Sequence, residues 1–248
     1  MVKVFVSNQL AMFLGPCAIG GFFILLFAVT LRDRRLARSD RPVWSLREFA
    51  GTFYVNPRKN PDFGWAFASR FMFIMAYAFL ATFQAYYLLE SIGSAEDEVP
   101  GQIFLGTLVQ CVFLVVASVV GGTLSDRTGR RKVFVLTASC VYGLSMFVIA
   151  LASDFNGFLV GMAIGGLGFG LYAAVDLALV VDVLPDDTTA AKDLGVFNFA
   201  GAVPFSVAPA VAPAILTVGG GNYSVLYLVA GGCALLGAAA ILPVKRVR

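Results

Sequence analysis

Between two long apolar runs the chain carries Gly122-Thr123-Leu124-Ser125-Asp126-Arg127-Thr128-Gly129-Arg130-Arg131-Lys132. Four cations and a carboxylate in so short a segment cannot rest in hydrocarbon, where each charge costs roughly 2.5 to 3.5 kcal/mol even on the mildest scale. The segment is expected to be a tight loop at a membrane surface, with a glycine near each end permitting sharp reversals. Asp126 beside Arg127 supplies a local ion pair able to latch the loop to a neighbouring helix end. Two readings follow from composition alone. Short cytoplasmic loops collect Lys and Arg in any case, or the spacing itself has a task.

The rest of the chain agrees with a membrane setting. Hydrophobic residues make up 59% and charged residues 13%, against about a quarter charged in soluble domains. The apolar runs exceed the length of a barrel strand and do not alternate, so they read as helices. Seven spans are expected, at 9–31, 71–89, 103–122, 133–152, 158–184, 194–218 and 223–243. The first is too long for a signal peptide and ends at a dense cationic stop. The polar linker 32–70 carries nine Lys/Arg against four Asp/Glu, and Trp44, Arg47 and Phe49 suit a short helix near 45–53 docked at the interface. Of 18 Lys/Arg, 17 fall in this linker, the basic segment, the loop near Lys192 and the C-terminal tail. The positive-inside rule then places those segments and the C-terminus in the cytoplasm and the N-terminus outside, in a cell (inner) membrane crossed several times.

The spacing of Gly122, Asp126, Arg127, Gly129, Arg130, Arg131 and Lys132 resembles the signature loop of the major facilitator superfamily. In that family the loop joins the second and third helices of each six-helix half and acts as a conformational latch. The resemblance implies that Gly122, Asp126, Arg127, Gly129, Arg130 and Arg131 gate the cytoplasmic side without touching cargo. It further implies that Asp182, at the cytoplasmic end of the fifth span, bonds the basic loop. Element order then resembles a C-terminal half preceded by one helix: residues 1–31 as a single transmembrane helix, 32–70 as a basic cytoplasmic linker, and 71–248 as a six-helix bundle. The fold class is an all-α membrane protein of seven transmembrane helices. The partner expected is the missing N-terminal half, or a second copy forming a parallel homodimer, since the halves of this superfamily are parallel repeats about an axis along the membrane normal.

Within the spans, Asp176 lies about nine residues, roughly 13 Å, from Pro185, deep for a carboxylate. It continues a stripe of Gly161, Gly165, Gly168 and Tyr172, a smooth face that lets a backbone or a ligand approach. Two kinds of reading stay open for it: a functional one, as a cation or proton site or as a polar anchor for cargo, and a structural ion pair with the cytoplasmic loops. Tyr77, Gln84 and Tyr87 share an arc of the second span, suited to hydrogen bonding and stacking on a sugar; the alternative is an interfacial aromatic belt. This run is weakly similar to the glycoside/cation symporter branch of the superfamily. Asn198 in the sixth span lines a polar cavity or bonds a neighbouring helix, and Pro204, Pro209 and Pro213 bend that span as a hinge or as packing irregularity.

The exclusions are equally informative. The chain has no histidine, so any proton coupling must use carboxylates. Cys17, Cys111, Cys140 and Cys233 are far apart, without metal-ligand spacing, and read as small buried hydrophobes. Gly166-Leu167-Gly168-Phe169-Gly170 lies in a membrane span with no preceding strand, which favours helix packing over nucleotide binding. No cofactor, metal, nucleic acid or enzymatic chemistry is expected. The reading is a secondary active transporter of a small solute, with a sugar as candidate, working by alternating access and coupled to a proton or sodium ion. Its rivals are a seven-helix receptor, whose retinal form fails because the last span lacks Lys, and a non-transporting sensor or assembly subunit derived from the same family.

Overall fold

The structure is a computed structural model that describes residues 9–31, 45–46, 55–184 and 190–245. The regular elements are helices: α1 (Gln9–Thr30), α2 (Pro61–Glu90), α3 (Val99–Thr128), α4 (Arg131–Ala150), α5 (Phe155–Val183), α6 (Ala190–Ala202), α7 (Pro204–Val218) and α8 (Tyr223–Ile241). Among the described residues, six segments are long and apolar enough to cross a membrane, with α6 and α7 counted together as one, and α1 contributes a shorter apolar stretch, Leu14–Thr30. The chain divides into two units, Met1–Ser45 and Leu46–Arg248. The first contains α1. Most of the expected interfacial helix at 45–53, together with Trp44 and the link around Pro185 and Asp186, lies outside the described residues.

Two boundaries differ from the sequence reading, each for an identifiable reason. Helix α2 starts at Pro61, not near Phe71. Asn60-Pro61-Asp62 is a helix start, because proline needs no N–H in the first turn and Asp62 meets the positive end of the helix dipole. Residues 61–70, expected in the linker, are thus the first turns of the span. The basic segment is also not an eleven-residue loop. Gly122 to Thr128 complete α3, Arg131 and Lys132 open α4, and only Gly129 and Arg130 connect them. Gly129 has φ +64 and its N–H meets the Ser125 carbonyl at 2.8 Å, a left-handed cap that glycine adopts without steric cost. Helical hydrogen bonding keeps the backbone satisfied up to the surface, while the long cationic side chains reach beyond it.

The expected sixth span is two helices that meet at Val203. Pro204 has no N–H for the carbonyl four residues earlier, so the break falls there, while Pro209 and Pro213 are accommodated inside α7. Side-chain caps fix two other starts: Asp154 accepts from the Gly157 N–H at 2.8 Å, and Asn222 from the Ser224 N–H at 2.8 Å.

Helix α5 is held between α3 and α4, and α8 between α2 and α4; α2 also meets α6 and α7. Glycine makes the first arrangement possible. A Cβ on Gly166 or Gly170 would lie 2.4 or 2.2 Å from the Gln110 or Leu114 carbonyl oxygen of α3, and one on Gly168 would lie 2.7 Å from the Tyr142 nitrogen of α4. The stripe of Gly161, Gly165 and Gly168 is therefore filled by α4, as close helix packing in membranes requires. Below it, Tyr172 stacks on Phe73 of α2 at 3.8 Å between ring centroids. Three of the four cysteines, Cys17, Cys111 and Cys140, are exposed where burial was expected. An apolar thiol suits a surface that itself faces hydrocarbon.

Candidate functional site

Two clusters of charge organise the bundle, both on α5. The deeper one joins α2, α5 and α6. Asp176 is 8% exposed, and its Oδ2 accepts from Arg70 Nη1 at 2.6 Å. The Tyr172 hydroxyl, one turn away on the same face, donates to the same carboxylate. The Arg70 guanidinium lies 5.1 Å from the centroid of Phe197 on α6, a cation–π contact. Phe197 is held in turn by edge contacts to Phe63 and Phe67. A Cβ on Gly201 would come within 3.3 Å of the guanidinium, so the absence of a side chain there leaves room for Arg70. A pair this deep is tolerable only because each charge has its partner; removing one leaves an uncompensated ion, at a cost of about 3–5 kcal/mol. The Arg70 Nε remains buried without an acceptor.

The second cluster closes the basic end. Arg131 Nη1 donates to Asp182 Oδ2 at 2.5 Å and to the Ala178 carbonyl at 3.0 Å. Lys132 Nζ donates to the carbonyls of Leu242 and Val244, the latter at 2.8 Å. The Lys245 N–H meets Asp62 Oδ1 at 3.2 Å. The turn between α3 and α4 is thereby tied to α5 and to the segment just past α8, and Lys245, four residues beyond α8, to the start of α2.

The expected site residues distribute unequally. Asp182 sits against the signature segment, with Arg131 as its partner. Asp126, Arg127 and Arg130 are exposed, and among the described residues they make no ion pair, including the local Asp126–Arg127 pair. Gly122 lies inside α3, in ordinary contact distance of Ala174 for an added Cβ. Asp176 and Tyr172 come together. Tyr77 packs on Phe169 at 4.7 Å and against Phe205 of α7 at 5.9 Å. Gln84 is half-buried, roughly 20 Å along α2 from Arg70. Tyr87 is fully buried, its hydroxyl donating to the Ile149 carbonyl and lying 3.3 Å from that of Ala152, so it clamps α2 to the end of α4. Asn198 is exposed on α6. The sequence reading left Arg70 in the linker and named Lys132 only as a position of the signature spacing, so the contacts of neither were foreseen. The start signal at Asn60-Pro61-Asp62 would have moved Arg70 from the linker into the membrane.

At the end opposite the basic turn, Glu90, Ser91, Gly220, Gly221, Asn222 and Ser224 line an open polar cup of about 320 Å³. Gly220 and Gly221 have φ +66 and +84, which lets the α7–α8 link fold over it.

Known proteins resemble parts of this chain. One relative, 35% identical over 71 residues, is the arabinose-proton symporter of Bacillus subtilis; the match covers 29% of this chain and 15% of that protein. A multidrug transporter of the major facilitator superfamily from Aspergillus fumigatus is 26% identical over 112 residues, 45% of this chain and 21% of the relative. An uncharacterized transporter of this type from Bacillus subtilis, YfiU, is 32% identical over 82 residues, 33% of this chain and 16% of the relative. The chain thus matches at most about a fifth of the length of these relatives. The sequence profile described as Major Facilitator Superfamily matches residues 66–248, from the first turns of α2 through the segment beyond α8. With that match covering most of its length, the chain belongs to the Major Facilitator Superfamily, a family of multi-pass membrane transporters.

Proposed function

We propose that this chain supplies one six-helix bundle of a secondary active transporter that moves a small solute by alternating access, coupled to a proton or sodium ion. The observation that carries the reading is the Arg70–Asp176–Tyr172 cluster, a charged centre deep in the bundle of a transporter-family chain. Ionisable groups at such depth mark ion or substrate pathways. An added cation weakens the hold of Arg70 on the carboxylate, which gives the bundle two arrangements for an ion to choose between.

The basic end is the proposed cytoplasmic gate. Arg131–Asp182 and the Lys132 contacts tie α3, α4, α5 and α8 together there, and Asp126, Arg127 and Arg130 face outward, free to engage a second bundle when that side closes. Positive-inside orientation puts this end in the cytoplasm of a cell (inner) membrane and the N-terminus outside. The second bundle is an N-terminal half or another copy of this chain. Its proposed contacts are α3 and the α6–α7 span, of which only 6% and 22% of the apolar window is buried, against 44–50% in the other spans.

A sugar is the first substrate class to test, because one relative bears the name of an arabinose-proton symporter and α2 presents Tyr77 and Gln84 as half-buried stacking and hydrogen-bonding groups. Labelled pentoses and hexoses offered to sealed vesicles containing the full chain should accumulate under an imposed proton or sodium gradient. Asp176→Asn should abolish that ion dependence. Binding without uptake would instead support the second reading, a membrane sensor or assembly subunit.

A further inference from the structure

Just before α2 the chain folds back on itself and leaves a groove along the first turns of that helix. Asn56 holds the fold: its Oδ1 accepts the Arg58 N–H at 2.9 Å, and its carbonyl accepts the N–H groups of Lys59 at 3.2 Å and Asn60 at 3.1 Å. Gly64 lets the turn lie close, since a Cβ there would stand 3.1 Å from the Pro57 Cβ. Pro57, Arg58, Pro61, Gly64, Trp65 and Ala68 line the resulting groove, of about 340 Å³.

Its two ends differ in chemistry. Arg58 is exposed, and among the described residues it makes no ion pair. No carboxylate lines the groove. Asp62, the nearest acid in the sequence, lies with Lys59 in a separate smaller cavity and accepts the Lys245 N–H. The remaining wall is proline, glycine, alanine and an indole. Trp65 is 46% exposed, and tryptophan, an apolar ring with one N–H donor, gathers where hydrocarbon meets headgroups. The start of α2 belongs to the basic end of the bundle, through Lys245 on Asp62 and Lys132 on the carbonyls just past α8. From Pro61 to Ala68 the helix rises roughly 10 Å, enough to cross a headgroup layer and enter the hydrocarbon. The cation therefore stands at the wet end and the apolar wall at the dry end.

We propose that this groove seats an anionic phospholipid of the phosphatidylglycerol type, with its phosphate on Arg58 and the start of one acyl chain along Trp65 and Ala68. A guanidinium matches two phosphate oxygens at once. Charge chooses among lipids. The ammonium of a zwitterionic headgroup would meet Arg58 and the other exposed cations of this end, Arg127 and Arg130, whereas a phosphodiester carrying an uncharged glycerol brings only the anion. Arg70, two residues beyond Ala68, is turned to Asp176 and Phe197, so the lipid seat and the charged centre occupy different faces of α2. The proposal does not depend on which solute is carried.

The chain supplies its own reporter, because Trp44 and Trp65 are its two tryptophans and Trp44→Phe leaves Trp65 as the single emitter. The full chain with that change is placed in phosphatidylcholine vesicles containing rising fractions of either phosphatidylglycerol or phosphatidylcholine brominated on the acyl chains. Half-quenching of Trp65 should come at a roughly fivefold lower fraction of the brominated phosphatidylglycerol. Arg58→Gln should bring the two lipids level, and Ala68→Phe, which fills the dry end without touching charge, should reduce the preference. Arg127→Gln, which removes an exposed cation of the same end outside the groove, should leave it unchanged. Native mass spectrometry of the chain with both tryptophans should show one phosphatidylglycerol fewer retained after Arg58→Gln. Equal quenching by the two lipids, or quenching by neither, overturns the proposal. A preference that falls as far in Arg127→Gln as in Arg58→Gln reduces it to the general charge of the basic end, and one abolished by millimolar inorganic phosphate makes it a free-anion site; either result also overturns the lipid seat.

Discussion

The two ion pairs on α5 have the same chemistry and different surroundings. Arg70–Asp176 has side chains 16% and 11% exposed, and Arg131–Asp182 has side chains 29% and 36% exposed. The first joins three helices in the interior, roofed by Phe197 and adjoined by Tyr172. The second lies at a helix end beside a two-residue turn, backed by the Ala178 carbonyl and by Lys132 on the carbonyls of Leu242 and Val244 just past α8. Depth decides what each can do. In the interior an unpaired charge is costly, so a change of partner has a large consequence. At the end, water and headgroups replace a lost partner cheaply, so breaking that pair has a small consequence.

That contrast can be broken in several ways. Arg70→Met strands the Asp176 carboxylate and should lower stability by about 3–5 kcal/mol, read as thermal unfolding in detergent; pairing it with Asp176→Asn should restore most of the loss. Gly170→Ala attacks the geometry common to both pairs, since its Cβ would meet the Leu114 carbonyl oxygen at 2.2 Å and push α5 from α3. A loss of about 1–3 kcal/mol is expected, with solvent reactivity of Cys111 on α3 altered. Asp182→Asn should cost no more than about 1 kcal/mol, yet shift the access of single cysteines placed at the basic end toward the open state. Asp126→Asn, on an exposed side chain, should change stability by less than about 0.5 kcal/mol; its effect should emerge only when a second bundle is present.

Helical architecture was legible because long apolar runs separated by charge admit few alternatives in a bilayer. The ion pair at the basic end was partly legible. Spacing located Asp182 and the basic segment, but helix capping at Gly129, which hydropathy does not register, fixed which cation is turned toward it. Asp176 was legible as a carboxylate too deep for an ordinary loop contact. Its partner was not, because Arg70 follows a stretch with Asn56-Pro57-Arg58 and Asn60-Pro61-Asp62 that reads as linker by polarity and as helix start only by position. Tyr87 shows the converse. On the sequence it belongs to an arc that suits either a sugar or an interfacial aromatic belt, and in the bundle its hydroxyl is spent on the carbonyls at the end of α4. The face a residue occupies depends on which neighbours flank the helix, and that information lies in α4 and α8 more than in α2.

The contrast between interior and end is tested most directly by two double-mutant cycles on thermal unfolding, one with Arg70→Met and Asp176→Asn, the other with Arg131→Met and Asp182→Asn. The expected coupling is about 2–4 kcal/mol for the interior pair and below about 1 kcal/mol for the end pair. Equal couplings, or a stronger one at the basic end, would contradict the assignment of Arg70–Asp176 as the charged centre of the bundle.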